Sequence, residues 1–159
     1  MAWAINGTPH TLGSAATVLT ISDLTTKKFN VILRHAVTTG NVDKFMTFNS
    51  DTGSKYAERS QFNGGTDATA VSQVRINNSC QPLDEFAVGY MFNVSGEEKI
   101  GMIWSQGSPA TGAGSAPSRK ELVFKYVPSP DADVTIITDT KGDAGQFDTN
   151  ANLSMLGTD

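Results

Sequence analysis

The stretch Phe29-Asn30-Val31-Ile32-Leu33-Arg34-His35-Ala36-Val37 decides the fold class. In an extended chain Phe29, Val31, Leu33 and Val37 share one face, while Asn30 and Arg34 take the other. Successive side chains of a strand point to opposite sides of a sheet, so a repeat of two marks a half-buried strand. The apolar face is the one expected to pack.

Working outward, the same pattern recurs about ten times with turn residues between. Strands are predicted over 17–21, 29–37, 44–49, with Met46 and Phe48 on one side, and 55–62, with Tyr56 and Phe62 on one face. In 70–76, Ala70, Val74 and Ile76 point in, and Gln73 and Arg75 point out. Residues 84–93 place Phe86, Val88, Tyr90 and Phe92 on one face opposite small Ala87 and Gly89, and read as the clearest core strand. Their aromatics at steps of two favour a strand over a buried helix. Ile100, Met102 and Trp104 repeat the theme, and Val94-Ser95-Gly96-Glu97 predicts a hairpin turn between the two segments. Leu122, Phe124 and Tyr126 form another face, followed by Val134, Ile136 and Thr138 and a last strand over 153–156. A spacing of about 8–14 residues with no helical pattern predicts an all-β fold, a single antiparallel jelly-roll-like β-sandwich of about eight to ten strands.

The chain of 159 residues, 38% hydrophobic, suits one core. Residues 1–13 are expected as an N-terminal arm with at most a short strand, and residues 14–159 as the sandwich domain. Residues 106–118 hold no apolar side chain larger than Ala and are expected as a flexible loop between two core strands.

Twelve Lys and Arg against sixteen Asp and Glu leave a net charge of −4. No basic stripe is present, which argues against nucleic acid as a partner. No apolar run reaches the ~20 residues of a membrane span, and the start lacks a signal-peptide pattern, so neither membrane nor secretion is expected. Without secretion the four Asn-x-Ser/Thr triplets, at Asn6, Asn77, Asn93 and Asn152, read as chance. A lone Cys80 forms no internal disulfide and suits a reducing compartment, so a cytoplasmic chain is expected.

No cofactor, metal or catalytic residue is assigned. His10 and His35 lack metal-ligand spacing, and His35 reads as a satisfied core or edge histidine. Cys80 has no activating motif, and the serine-hydrolase elbow is absent. Asp131, Asp133, Asp139, Asp143 and Asp148 cluster late in the chain without calcium-loop spacing. With Asp51 and Asp67 they read as solvated turn acids, and no spacing marks a glycosidase pair. The chain is therefore read as not an enzyme. Trp3 is a candidate anchor for docking on a neighbouring subunit, and alternatively a stacking platform for carbohydrate. Trp104 reads as core packing.

Three stretches carry a resemblance. Residues 24–36 are a strand-rich start, followed by Phe48-Asn49-Ser50-Asp51-Thr52-Gly53-Ser54-Lys55-Tyr56; Phe92-Asn93 stands with Glu98-Lys99 before Ile100; and Val134-Thr135-Ile136-Ile137 precedes Gly145-Gln146-Phe147 and Ser154-Met155-Leu156-Gly157. Together they resemble the small jelly-roll structural proteins of tailed bacteriophages, which serve as capsid decoration (cement) proteins or head-fibre and tail modules. Lys55 stands where Asn is more typical, and Leu156 where an aromatic is expected. The resemblance implies a non-enzymatic virion protein made in the host cytoplasm and carried on the capsid surface, a homo-oligomer, a trimer by expectation, partnered by the major capsid or another virion protein, with Trp3 and Ile5 of the N-terminal arm as capsid- or subunit-docking residues. The alternative it leaves open is a carbohydrate- or receptor-binding module of a fibre or tail.

Overall fold

The structure, a computed structural model, describes residues 2–40, 42–70, 72–80, 84–128, 132–142 and 144–159. Asp131, Asp143 and the Cys80 side chain lie outside the described residues. Thirteen strands are described: β1 (Ala4–Ile5), β2 (His10–Thr11), β3 (Val18–Ile21), β4 (Phe29–Ala36), β5 (Val42–Phe48), β6 (Tyr56–Phe62), β7 (Ala68–Ala70), β8 (Val74–Cys80), β9 (Glu85–Phe92), β10 (Lys99–Gly107), β11 (Ser118–Tyr126), β12 (Ile137–Lys141) and β13 (Asn152–Thr158). They form an antiparallel β-sandwich. The larger sheet runs β1-β13-β4-β9-β10-β11-β6-β7 with β2 also on β13, and the smaller runs β3-β12-β5-β8. The count exceeds the expected ten because β1, β2 and β7, two or three residues each, line the sheet margins. Among the described residues no helix is long and apolar enough to cross a membrane.

The first residues are stitched to the domain rather than projecting from it. The Asn6 and Leu12 amides donate to the Met155 and Ala151 carbonyls, both at 2.9 Å, and Leu12 is buried. The hairpin of β9 and β10 closes as expected, with Gly96 at φ +76° and the Glu97 amide donating to Val94. The glycine-rich segment is shorter than expected, because Gly107 pairs with Ser118 and extends β10 and β11, leaving an exposed stretch over 108–117. The strand placed at 134–138 begins at Ile137, with Ile137 and Asp139 inward. Val134 is buried in the preceding segment, its backbone amide and carbonyl both hydrogen-bonded by the Asn93 side chain.

The faces of three strands are the reverse of the expectation. In β4 the buried residues are Asn30, Ile32, Arg34 and Ala36, while Phe29 is exposed. In β9 they are Glu85, Ala87, Gly89 and Met91, with Phe86 and Tyr90 outside. In β10, Ile100, Met102 and Trp104 are exposed, so Trp104 is not core packing. Space explains the small residues inside. A Cβ on Gly101 would lie 2.5 Å from the Phe124 ring and from the Tyr90 carbonyl oxygen, and one on Gly89 would lie 3.0 Å from Ile103. The inner volume of β9 and β10 is filled by side chains of neighbouring strands. The other readings hold: Met46, Phe48, Val74, Ile76, Leu122, Phe124 and Tyr126 are core. Phe48 stacks on Phe124 at 5.3 Å, and Tyr56 on Tyr126 at 5.0 Å.

The sandwich interior also holds charge. Arg34 of β4 pairs with Glu85 of β9 in its own sheet and with Asp139 of β12 in the facing one. Lys44 of β5 reaches back across the gap to Glu85 at 3.0 Å. Two cations and two carboxylates thus bridge the sheets with no net charge, all four side chains buried. Burial works to lower the Arg34 pKa, but Asp139 and Glu85 outweigh it and hold the guanidinium charged. Burial raises Asp139 to about 6 against the pull of Arg34. Asp139 is therefore not a solvated turn acid. A second polar bridge joins Lys120 of β11 to Glu58 of β6 at 3.1 Å; Lys120 also donates to the Arg75 carbonyl of β8, and the Arg75 amide donates to Glu58.

Candidate functional site

The reversal leaves an apolar face pointing outward, and strand register assembles it. Residues opposite one another in antiparallel strands lie on the same side of the sheet. One outer row reads Ile5, Leu156, Val31, Tyr90, Met102, Val123 across six strands. The next holds Phe29, Phe92 and Ile100, and on the other side come Leu33, Val88 and Trp104. Phe86 continues the surface beyond Val88. Tyr90 meets Trp104 edge to face at 6.2 Å, and Phe29 meets Phe92 likewise at 6.1 Å.

A trough of about 570 Å³ runs through this surface, lined by Trp3, Phe29, Tyr90, Phe92, Ile100 and Met102 among others. A second, of about 270 Å³, lies between Phe86 and Trp104 on one side and Gln106, Arg119 and Glu121 on the other. Nine large apolar residues of this face, from Trp3 to Val123, are 40–68% exposed. At roughly 150–250 Å² per aromatic side chain and somewhat less per aliphatic one, they present about 900 Å² of surface. The largest apolar patch of an ordinary monomer is ~300–600 Å².

Three cations of the rim are matched by acids of the same chain, and Lys28 lies over the Phe29 ring, its Nζ 5.4 Å from the centroid. Arg59 pairs with Asp67 at 3.1 Å, Lys125 with Glu98 at 3.1 Å, and Arg119 approaches Glu121 at 3.8 Å. His35, expected in the core or at an edge, lies on this outer face, with Nε2 3.2 Å from Asp84. His10 accepts the Thr20 amide at 3.0 Å. Among the described residues no three His, Cys, Asp or Glu side chains gather as a metal site. The Arg34–Asp139 cluster has a perturbed carboxylate but lies buried between the two sheets and pairs one with the other.

Trp3 and Ile5, singled out from sequence, both fall on this face, Trp3 at the trough and Ile5 at the β1 end of the central row. The greater part of the surface, contributed by β4, β9 and β10, is the face that the alternation of large apolar residues predicts as core. No local signal separates the faces: Glu85, Lys99 and Ser105 suit a solvated side, and only the small Ala87, Gly89 and Gly101 hint at close packing there. No family model, curated protein or solved structure matches the chain.

Proposed function

We propose that this chain is a non-enzymatic structural protein of a virus particle, a capsid decoration protein that binds the capsid surface as an oligomer. The observation that carries the reading is the apolar outer face of the larger sheet, which is larger than a solitary domain leaves in water. A surface of this kind suits assembly more than turnover, since it offers area and shape but few polar groups to orient a reacting molecule. The bacteriophage resemblance supplies the setting, and the anchoring of the first residues places Trp3 and Ile5 on the same face. Co-sedimentation with undecorated capsids tests it: saturation at a fixed ratio supports decoration, and a chain that stays in the supernatant overturns it.

A second reading, a glycan- or receptor-binding module of a fibre or tail, is favoured by one feature. The trough at Trp104 combines an aromatic face with Gln106, Arg119 and Glu121, groups that stack on and hydrogen-bond to a sugar. Glycan-array binding that Trp104→Ala abolishes, without capsid binding, would establish this module in place of decoration.

A further inference from the structure

We propose that the occupant of the outer face is a second copy of this chain, the larger sheets packing face to face. The inference rests on the reading of that face as an assembly surface and names its partner. Three observations favour a copy over a foreign protein.

The first is area. About 900 Å² of exposed apolar side chain on one partner matches the ~800 Å² per partner that a stable interface buries. The estimate covers apolar residues alone, so the polar rim adds to it.

The second is charge. The central row from Val31 to Val123 carries no ionisable group except the Tyr90 phenol; Arg59, Arg119 and Lys125 at the rim each lie beside an acid of the same chain, and Lys28 lies over the Phe29 ring. Such a face has little net charge to attract a strongly charged partner or to repel its own copy. A two-fold contact presents the same patch from both sides, so a rim of little net charge with an apolar centre is self-compatible.

The third is shape and edge. The trough beside Trp3 and Phe29 lies next to Trp104, which is braced on Tyr90 and stands outside the trough's own lining. A surface bearing both a hollow and a bulky side chain can receive its own copy, Trp104 of each into the trough of the other. Growth through the edges of the larger sheet is disfavoured, because β1 and β7 are only two and three residues long. That leaves the face. Two such sheets pack at about 10 Å with strands crossing near 30°.

The test is the mass of the full chain by analytical ultracentrifugation at about 100 µM, where a Kd of about 10 µM or tighter leaves most chains associated. The expected result is twice the single-chain mass or a higher multiple. A second measurement uses Met102→Glu, which places a charge in the central row on an exposed side chain and should leave the circular dichroism of the sandwich unchanged. It is expected to weaken association at least 100-fold, so that the concentration at which single mass gives way to the oligomer rises by at least that factor. A single-mass wild-type chain overturns the proposal; if that chain still pellets with capsids, the decoration reading survives and the face belongs to the capsid. An oligomer whose dissociation constant Met102→Glu leaves unchanged also overturns it. An oligomer weakened by Met102→Glu that ignores capsids upholds the self-contact and removes the decoration reading.

Discussion

Replacing Arg34 with Met should destabilise the sandwich by about 3–5 kcal/mol, the usual consequence of removing one partner from a buried ionic group. Met keeps an unbranched stem of similar reach, so the change is chiefly the loss of charge. In the native cluster Arg34 and Lys44 balance Glu85 and Asp139. Without Arg34, Lys44 remains with Glu85 at 3.0 Å, and Asp139 loses the cation that opposes its burial. Its carboxyl, already at about 6, moves higher and binds a proton at neutral pH. For an acid whose folded pKa lies above its unfolded value, the folded state holds the proton more tightly. Stability then rises as pH falls toward the unfolded pKa, by about 1.4 kcal/mol per pH unit for one proton. The variant should follow that slope from pH 7 to about 4, whereas the wild type gains only below about 6. Urea unfolding followed by circular dichroism measures this. With a slope of roughly 1–3 kcal/mol/M, the midpoint should fall by about 2 M. Arg34→Met combined with Asp139→Leu removes one charge of each sign, leaves the Lys44–Glu85 pair intact, and should recover most of the loss. A single variant that loses under about 1 kcal/mol, or a double variant worse than the single, would refute the view that the cluster bridges the sheets as a balanced unit.

Three further outcomes test other parts of the structure. Gly101→Ala should destabilise by about 1–3 kcal/mol, because the added methyl meets the Phe124 ring and the Tyr90 carbonyl, while Ile100→Ala next to it should change chain stability by under about 1 kcal/mol in thermal melts of the unassociated chain. Asp139→Asn should flatten the stability profile between about pH 4 and 6, since the raised pKa makes the wild type gain stability as pH falls through that window; thermal melts across pH read it. Tyr126→Phe removes the hydroxyl that donates to Asp51, whose pKa is lowered chiefly by that bond. The Asp51 carboxyl should then titrate closer to its ordinary value by NMR, with about 1–3 kcal/mol lost in urea unfolding.

Strand positions were legible in the sequence because a repeat of two needs only local alternation. Val74 and Ile76, or Leu122 and Phe124, are buried as their alternation implies. The smallest strands were not legible. Ala4–Ile5 and Ala68–Ala70 contain no pattern of their own and exist because a longer neighbour supplies backbone partners. Facing was the harder question. Alternation says that Phe86, Val88, Tyr90 and Phe92 share a side, but not which side meets the second sheet. Assigning the aromatics to the core presumes that the chain buries its largest apolar residues against itself. In β9 and β10 the opposite face is committed to the interior by Glu85, Gly89 and Gly101, whose roles depend on Arg34, Ile103 and Phe124 from other strands. Nothing within nine residues reveals those partners. For the same reason Trp3 and Ile5 could be singled out, lying in a segment with no competing core pattern, while Tyr90, Met102 and Trp104 could not.

The inside and the outside of the larger sheet can be understood together. A sandwich that sealed its aromatics within would have a stronger core and a polar exterior, and would have no reason to associate. Here the interior instead carries a balanced ionic cluster, small residues and a limited set of aromatics. Buried ion pairs add little net stability compared with apolar residues of the same volume, but they disfavour arrangements that leave a charge without its counter-ion. Arg34 and Glu85 on one sheet find Asp139 and Lys44 only in the observed register between sheets. The cluster can thus fix how the sheets align while Tyr90, Met102, Trp104 and their neighbours stay available outside. About 900 Å² of apolar side chain at ~25 cal/mol/Å² corresponds to roughly 20 kcal/mol per chain before the losses of association. Those losses, rigid-body freedom and side-chain ordering, absorb much of it. A domain with this distribution holds a large apolar area outside its own core, which is the thermodynamic condition that the proposed assembly requires.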